Sequence, residues 1–351
     1  MTFNKPFDIQ GQIHRNRQLL TGPSCRPTAF QLYARSHDRR EPSSFSVPVL
    51  TFCMKVTDMD GCQGSTTSTL SDEAFDISPE AFAVIMKVLK EVRGFNLEIY
   101  KEKCIKRRIA IRIRRTNFTS AIEYGAYLKH DDAEADHLLK VLTIHVSQFY
   151  RNRPTFDKLR DDIIPRLFTQ CDHHNYEGLR IWSVGCAGGE EPYSLALILT
   201  GHFSRHLSEK QVSILATDVD AEIIEAAKEG SFREERLIEV SAEEMERWFV
   251  QLDGKFKLAQ QIKDMVTFRQ SDLSDVTAFP ECDLILCRNV LIYLERSHQE
   301  KVLNAFADAL RPGGMLVLGK AETLIGESRR RFRTVCPIER IYQVVGQDET
   351  G

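Results

Sequence analysis

The sequence predicts an α/β fold, in which a mainly parallel β-sheet ends in an antiparallel hairpin and is preceded by an all-helical domain. From about residue 179 onward, short apolar runs alternate with helical patterns, which is typical of βαβ units. Residues 332–345 alternate polar and apolar side chains over two short runs, as a closing hairpin does. Between residues 75 and 148, apolar side chains recur at helical spacing.

Length and composition indicate a globular chain of two domains. The chain has 351 residues, of which 42% are hydrophobic and 28% charged. No apolar run reaches the ~18 residues of a membrane span, and the N-terminus lacks a signal-peptide pattern. The nine cysteines form no C-x-x-C pair, so we expect a cytoplasmic protein with free thiols and no metal site. A net charge of −3 gives no global attraction to nucleic acid or membrane.

The chain divides into three segments. Residues 1–72 lack a sustained period and are predicted to be a flexible or disordered extension, or one added by a start codon upstream of Met54. Residues 73–148 are a predicted helical domain, and residues 149–346 are the α/β domain. Within the latter, residues 231–263 interrupt the βα rhythm and are predicted to form an inserted β-subdomain.

The individual elements follow from apolar periodicity and from helix start and stop signals. In the helical domain, helices are expected at residues 79–93, 100–115, 120–129 and 133–146. In the α/β domain, strands are expected at 180–184, 212–217, 266–270, 282–287 and 315–318, with the hairpin at 332–335 and 340–345. Helices are expected at 190–199, 221–229, 243–249 and up to about residue 310, before Arg311-Pro-Gly-Gly. The inserted segment contains a hairpin signal at Asp253-Gly254.

A glycine-rich turn between the first strand and its helix is the strongest sign of a ligand site. Gly185, Gly188 and Gly189 let the backbone turn tightly and approach a ligand. The G-x-x-G-G spacing does not fit the G-x-G-x-x-G dinucleotide fingerprint. Glu190 and Glu191 put negative charge where a pyrophosphate would need bare N–H groups. S-adenosyl-L-methionine (SAM) is cationic and has no phosphate, so the turn favours SAM over a capped helix in another α/β protein.

Acidic residues at two further strand ends extend this site. Asp218 lies one crossover after the turn, where a carboxylate commonly accepts the ribose hydroxyls. NAD enzymes use the same arrangement, so Asp218 indicates nucleoside binding without selecting the cofactor. The closing antiparallel hairpin favours a Rossmann-like SAM-dependent methyltransferase sheet over a dinucleotide fold. Asp272 follows the strand at 266–270 and would bind the adenine amino group.

Cations gather on the second predicted helix. They are Lys101, Arg107, Arg108, Arg112 and Arg115. The last three fall within one narrow arc of the helix, so they form either a solvated face or a docking face for an acidic partner. Nucleic acid is the weaker interpretation, because no aromatic side chains interleave.

The segment between the domains carries a second polar pair. Ser147 and Arg151 are four residues apart, so on a helix they would share a face. An arginine beside a hydroxyl can hold a carboxylate by two hydrogen bonds. An interdomain salt bridge is the alternative.

Residues 75–345 resemble the CheR family of chemotaxis receptor glutamate methyltransferases. The motifs that carry the resemblance are VSQFYR at 146–151, GGEEPYS at 188–194, ATDVD at 216–220, LCRNVLIY at 286–293 and LRPGG at 310–314. The resemblance implies transfer of the methyl group of SAM to glutamate side chains of methyl-accepting chemotaxis receptors, giving methyl esters. A non-catalytic SAM-binding signalling module that acts through the helical domain is one alternative. An amino-group methyltransferase is another, but it would carry Asn/Asp-Pro-Pro-aromatic where this chain has Arg288-Asn289-Val290.

The resemblance also implies roles for single residues. The cofactor site would consist of His145, Ser147, Arg151, Val184, Glu190, Asp218, Asp272, Leu273, Arg288 and Asn289. Glu190 would take the ammonium group, and Arg151 and Tyr293 would lie nearest the transferred methyl group. Tyr293 as a plain core aromatic and Glu191 as a helix cap are the structural alternatives.

The resemblance further implies two receptor contacts. The basic helix would dock on the acidic methylation helices of a receptor, and the inserted subdomain would make a second contact. Its hairpin is short and lacks the extra glycines of members that bind a receptor's C-terminal pentapeptide, so no such tether is expected. The chain also departs from the family at residues 319–322, where Gly-Lys-Ala-Glu replaces the common Gly-His-Ser-Glu. His145, Ser147 and Asp272 stand where Asn, Thr and Asn are common.

Overall fold

The computed structural model of the chain describes residues 77–94, 97–143 and 146–345. The predicted extension at 1–72 and the candidate ligand residue His145 therefore lie outside the described residues. No helix in the described part of the chain is long and apolar enough to cross a membrane.

Helices make up the first part of the described structure. They are α1 (Pro79–Arg93), α2 (Glu102–Ile113), α3 (Ala121–Tyr127) and α4 (Asp132–Leu142), with a 3-10 turn at Leu97–Ile99. The Ser78 side chain caps the first turn of α1, and Gly94 ends the helix with a φ of 65°. On α2, the apolar stripe of Ile105, Ile109 and Ile113 is buried in the core of this helical domain.

The strands form two sheets. In chain order they are β1 (Gly178–Val184), β2 (Gln211–Asp218), β3 (Ser231–Phe232), β4 (Phe249–Leu252), β5 (Lys255–Leu258), β6 (Val266–Gln270), β7 (Cys282–Cys287), β8 (Leu310–Leu318), β9 (Phe332–Cys336) and β10 (Ile341–Val344). The large sheet has the order β6-β2-β1-β7-β8-β10-β9, and the small sheet has the order β3-β5-β4.

The large sheet confirms the predicted fold class. Its first five strands pair in parallel, and β10 runs antiparallel to both β8 and β9. Every residue of β7 is buried, which explains the apolar run from Leu284 to Cys287. The strand order reverses at β1, which lies between β2 and β7. In such sheets, ligands bind in the crevice at the carboxyl ends of the strands where the order reverses.

Further helices cover the sheet and connect its strands. They are α5 (Arg153–Lys158), α6 (Ile164–His173), α7 (Glu190–His202), α8 (Ser204–Glu209), α9 (Ala221–Glu229), α10 (Ala242–Trp248), α11 (Gln260–Lys263), α12 (Arg296–Ala309) and α13 (Ser328–Arg331). A single π-helical turn at Leu159–Ile163 joins α5 to α6. Trp182 of β1 packs edge-on against Phe279 and Phe306, with ring centroids 4.9 and 5.6 Å apart, and this contact ties α12 to the sheet.

The small sheet confirms the predicted hairpin. Asp253 and Gly254 have φ values of 50° and 73°, as a tight two-residue hairpin turn requires. The third strand, β3, is only two residues long, so the sequence pattern did not reveal it.

Several predicted boundaries were wrong for identifiable reasons. The helix expected at 133–146 ends at Leu142, because Thr143 takes an extended ψ of 103°. The strand expected at 315–318 begins at Leu310, because the register against β7 shifts and absorbs the Pro-Gly-Gly stretch. Gly313 sits in this irregular stretch with a φ of 78°.

Candidate active site

A cleft opens at the carboxyl ends of β1, β2 and β7, where the strand order reverses. It encloses about 1120 Å³ of empty space, part of it open to solvent. Most of the predicted site residues line it: Ser147, Arg151, Val184, Asp218, Leu273, Arg288, Asn289 and Tyr293. The helical domain supplies Tyr100, Arg108, Leu142 and Thr143 to the same wall. The cleft therefore lies between the sheet and the helical domain.

The glycine-rich turn forms the floor of the cleft. Gly185 has a φ of 67°, and a Cβ atom there would lie 2.4 Å from Cγ2 of Val290. Glycine is therefore required both by the backbone conformation and by the packing. The backbone N–H groups of Gly185 and Cys186 donate to the Thr217 carbonyl at 2.8 and 3.0 Å, which fixes the turn to the end of β2. Burial raises the pKa of the Cys186 thiol well above its usual value, so this thiol is neutral and no nucleophile.

Asp218 is held in place at the end of β2. Its two carboxylate oxygens accept backbone N–H bonds from Ala187, at 3.0 Å, and from Asp220, at 3.2 Å. The side chain lines the cleft although the residue is only 8% exposed. Each carboxylate oxygen has a further lone pair, so this geometry fits acceptance of ribose hydroxyl groups.

The two glutamates that begin α7 point in different directions. Glu191 lines the cleft; it accepts a hydrogen bond from Ser183 at 2.9 Å and pairs with Arg288 at 3.0 Å. Glu190 does not line the cleft; it is 3% exposed and lies 3.4 Å from the guanidinium of Arg236, in the inserted subdomain. Successive helical residues are about 100° apart, so the two side chains point in different directions. The contact of Glu190 with the ammonium group stays a prediction, and Glu191, which lines the cleft, is a second candidate for it.

Arg288 joins three parts of the site. Besides the pair with Glu191, it donates to the Arg151 carbonyl at 2.6 Å and lies over the Phe156 ring at 5.3 Å. Its Nε and the Oδ1 atom of Asn289 are buried without a hydrogen-bond partner among the described residues. Buried polar atoms are normally bonded, so a polar ligand or water in the cleft would complete them. This donor and acceptor set fits an amino-acid and nucleoside ligand such as SAM.

The segment at 146–151 is not helical, so the expected shared helical face of Ser147 and Arg151 was wrong. Tyr150 has a φ of 53°, and the Arg151 guanidinium donates to the Val146 carbonyl at 2.8 Å. The segment turns sharply, and the turn rather than a helix brings the two side chains to the cleft. The inserted subdomain holds this turn, since Phe149 N donates to the Arg236 carbonyl at 2.9 Å.

Only some side chains of the predicted basic docking face are exposed to solvent. Arg107 and Arg115 are exposed. The Arg112 guanidinium donates a hydrogen bond to the Glu134 carboxylate at 2.8 Å inside the helical domain. The Lys101 ammonium group donates to the Ile292 carbonyl at 2.7 Å. Acceptors on neighbouring elements therefore bind these two cations in the described structure, and their contact with a partner stays a prediction.

Arg108 belongs to the cleft. Its guanidinium donates to the Leu142 carbonyl and lies 4.8 Å from the centroid of the Tyr293 ring. The face of an aromatic ring attracts a cation, so this contact stabilises the position of the Arg108 side chain. Arg108 and Arg151 therefore bring positive charge to the cleft from two different domains.

Asp272 lies beside the cleft rather than in it. It lines an adjoining pocket at the domain junction, together with Asp220 and Lys140. Its Oδ1 accepts a hydrogen bond from Ser274 N at 2.8 Å, which shapes the loop after β6. Its neighbours Ser271 and Leu273 face the cleft instead. Burial, with the charges of Asp272 and Asp218, raises the pKa of Tyr100, so its phenol stays protonated.

The described residues contain no group of three or more side chains that could hold a metal ion.

Two family models match the chain over most of its described length. Residues 145–339 match the SAM-binding domain of CheR methyltransferases, and residues 80–143 match the all-alpha domain of the same family. The chain belongs to the CheR methyltransferase family. The resemblance carried by the sequence motifs is thus confirmed, and the cofactor of this CheR methyltransferase is SAM.

Individual relatives agree with the family models. The chain is 34% identical over 239 residues to a chemotaxis protein methyltransferase of Listeria innocua, which covers 68% of this chain and 88% of that protein. It is 29% identical to a chemotaxis protein methyltransferase of Borreliella burgdorferi, over 73% of this chain and 93% of that protein. It is also 29% identical to chemotaxis protein methyltransferase 2 of Pseudomonas aeruginosa, over 73% of this chain and 91% of that protein.

Proposed function

We propose that this CheR methyltransferase transfers the methyl group of SAM to glutamate side chains of methyl-accepting chemotaxis receptors, giving methyl esters. The placement of Arg108 and Arg151 on one SAM-binding cleft is the observation that carries the proposal. The chain as a whole has a net charge of −3, so this local positive charge selects for an anionic acceptor. Relatives named chemotaxis protein methyltransferase support receptors as the source of that acceptor.

The cofactor contacts follow from the geometry of the cleft. Asp218 accepts hydrogen bonds from the ribose hydroxyls, and Glu191 binds the ammonium group. Leu273 lines the adenine side, and Asn289 supplies its Oδ1 atom, which has no hydrogen-bond partner among the described residues. Val184 and Ser147 complete the walls beside the glycine-rich turn.

The chemistry needs no general base. A glutamate side chain has a pKa of about 4.3, so the acceptor is already ionised at neutral pH. SAM supplies an electrophilic methyl group: the carboxylate oxygen forms the new O–C bond, and the S–C bond breaks with its electron pair remaining on sulfur. Arg151 and Arg108 orient the carboxylate, and Tyr293 packs beside the reacting atoms. Positioning and exclusion of water supply the rate enhancement.

The receptor docks beside the cleft. Arg107 remains exposed on α2 and Arg115 just after its end, and Arg108 of α2 reaches the cleft wall. An acidic receptor helix lying along α2 would therefore present a glutamate to the active site. The small sheet is the second receptor contact, without a C-terminal pentapeptide tether. Tight binding of such a pentapeptide in calorimetry would contradict the last point.

Methyl transfer to native receptors tests the proposed function. Membranes that contain the receptors are incubated with the protein and tritium-labelled SAM, and then treated with mild alkali. We expect base-labile label that is released as methanol, because carboxyl methyl esters hydrolyse in this way. Base-stable label would indicate methylation of nitrogen, sulfur or carbon and would overturn the glutamate assignment. Intact SAM binding without transfer to any receptor preparation would favour a non-catalytic signalling module.

A further inference from the structure

A buried carboxylate behind the cleft organises the loop that forms one of its walls. Glu322 follows β8 and is 4% exposed. Its two oxygens accept hydrogen bonds from the backbone N–H groups of Asn289 (2.9 Å), Val290 (2.9 Å), Ile292 (3.3 Å) and Gly319 (2.6 Å). Three of these donors belong to residues 288–293, the loop that follows β7 and carries Arg288, Asn289 and Tyr293 into the cleft.

The charge state of this side chain matters for the loop. The loop ends in a 3-10 turn at Leu291–Tyr293, and N–H groups at the start of such a turn have no partner within it. A carboxylate only accepts hydrogen bonds and has enough lone pairs for all four donors, whereas an amide would turn an NH₂ group toward them. Burial raises the pKa of Glu322, and the bonds from the backbone N–H groups oppose that shift.

The loop connects the other parts of the active site. On one side, Val290 packs into the space left by the missing side chain of Gly185 in the glycine-rich turn. On the other side, the Tyr293 carbonyl accepts a hydrogen bond from Lys101 N at 2.8 Å, and the Tyr293 ring lies under Arg108. A shift of the loop would therefore displace both the glycine-rich turn and the cleft wall that the helical domain supplies.

Gly319 shows how closely the backbone approaches this carboxylate. A Cβ atom at Gly319 would lie 2.7 Å from the Oε2 atom of Glu322 and 2.8 Å from Asn289 N. A methyl group there would have to displace the loop or the carboxylate, although the charge of Glu322 would be unchanged. The same contact can thus be perturbed from two independent positions.

We propose that Glu322 is a positioning residue for methyl transfer, which holds the 288–293 loop in its active conformation and itself touches neither SAM nor the acceptor. SAM binding tests this assignment by itself, and only the turnover measurement rests on the proposed function.

The test compares Glu322→Gln with Glu322→Asp. We expect Glu322→Gln to raise the dissociation constant of S-adenosylhomocysteine about tenfold, the equivalent of one lost hydrogen bond or more. Turnover with receptor membranes should fall by about a hundredfold, since a small misplacement of catalytic groups has effects of that size. Glu322→Asp retains the charge on a shorter side chain, so it should recover part of both losses. All measurements are made at a temperature where thermal unfolding shows each variant to be folded.

Asp283→Asn is the matched control. Asp283 lies at the opposite end of β7, is also 4% exposed, and accepts a hydrogen bond from Arg180 N at 2.7 Å. Its loss should lower the melting temperature and leave the affinity and turnover of the folded protein unchanged. A Glu322→Gln variant that behaves like Asp283→Asn would overturn the proposal.

Gly319→Ala provides a second test of the proposal, which applies if Glu322→Gln does not fold. We expect it to weaken S-adenosylhomocysteine binding and turnover together, because it crowds the same loop. Wild-type values for both in folded Gly319→Ala would overturn the proposal. If the wild-type protein binds SAM but forms no methyl ester, the proposed function fails, and the affinities of the variants still decide the role of Glu322.

Discussion

Arg151 lies half-buried in the cleft wall, and in the proposed function it orients the acceptor carboxylate. Arg151→Gln removes the charge and keeps much of the side-chain length. We expect turnover to fall by about tenfold to a hundredfold, the value of a hydrogen bond between charged groups. The dissociation constant of SAM should change by less than about threefold, since the lost bond is made to the acceptor. Single-turnover transfer and calorimetry measure the two quantities.

Arg205→Gln is the control for that substitution. Arg205 is an exposed residue of α8 that pairs with Glu209 at 2.9 Å, away from the cleft. It should leave turnover close to that of the wild type. Equal losses of turnover and SAM affinity in Arg151→Gln would refute the orienting role.

The neighbouring glutamates of α7 allow a second test of single residues. Glu191→Gln removes the negative charge that lines the cleft, and we expect the dissociation constant of SAM to rise by about tenfold, roughly one charge-assisted hydrogen bond. Glu190→Gln removes a charge that faces Arg236 instead and should change SAM affinity much less. Calorimetry with SAM ranks the two variants. A larger loss of SAM affinity in Glu190→Gln than in Glu191→Gln would identify Glu190 as the residue that binds the ammonium group.

Sequence reasoning succeeded for single residues where a strand end fixes the side chain. Asp218 and Arg288 each lie at or directly after the end of a parallel strand, and both line the cleft as expected. It did not find that Glu191 lines the cleft beside the predicted Glu190, because which of two successive residues faces a cleft depends on the rotation of the helix against the sheet. That rotation is set by packing over the whole of α7, which no local motif encodes.

The turn at 146–151 and the inserted subdomain behave as one connected element. The Arg236 guanidinium donates to the Ser147 carbonyl, its backbone carbonyl accepts from Phe149, and the Tyr150 hydroxyl donates to Glu244. The subdomain thus holds the turn that carries Arg151. A ligand or receptor contact on the small sheet is in this way mechanically linked to the active site.

Arg236→Gln tests this link. Arg236 is partly exposed, so we expect the variant to fold while its 146–151 turn becomes more mobile. Turnover should fall by about tenfold, as expected when a positioning contact outside the reacting groups is lost. Arg247→Gln is the matched control. Arg247 lies in the same subdomain, 4.7 Å from the centroid of the Trp248 ring, and forms no hydrogen bond with the turn in the described structure. Equal activities of the two variants would contradict the link.

At the level of elements, regular periodicity was predictable and its interruptions were not. Strands β6 and β7 have the predicted bounds. The stretch from α5 to α6 was missed. Pro165 has no N–H to donate, and the π-helical turn at Leu159–Ile163 carries the chain into a new helix start there. The π-helical turn depends on packing against the sheet. The sequence pattern does not encode this packing, so it indicates only an interrupted helix.

Across the whole molecule, the helical domain completes the active site. Backbone bonds join the two parts: Lys101 N donates to the Tyr293 carbonyl, and Glu295 N donates to the Ile99 carbonyl, both at 2.8 Å. Lys140 and Glu222 form an ion pair at 2.6 Å across the same junction. The basic helix was predicted as a surface, but this docking turns Arg108 inward. Sequence periodicity shows which residues share a helix face. Which element packs against that face is decided only when the whole chain folds.

This arrangement predicts that cofactor binding protects both parts of the chain. Tyr100, Arg108 and Thr143 line the cleft from the helical domain, so a ligand in the cleft should damp opening of the junction. We expect S-adenosylhomocysteine to slow hydrogen exchange at Lys101 and along the first turns of α2, as well as in the glycine-rich turn. The hairpin of β9 and β10 lies outside the cleft lining and serves as the internal control. Protection confined to the α/β domain would contradict this prediction, since the cleft wall from the helical domain would then not respond to the cofactor.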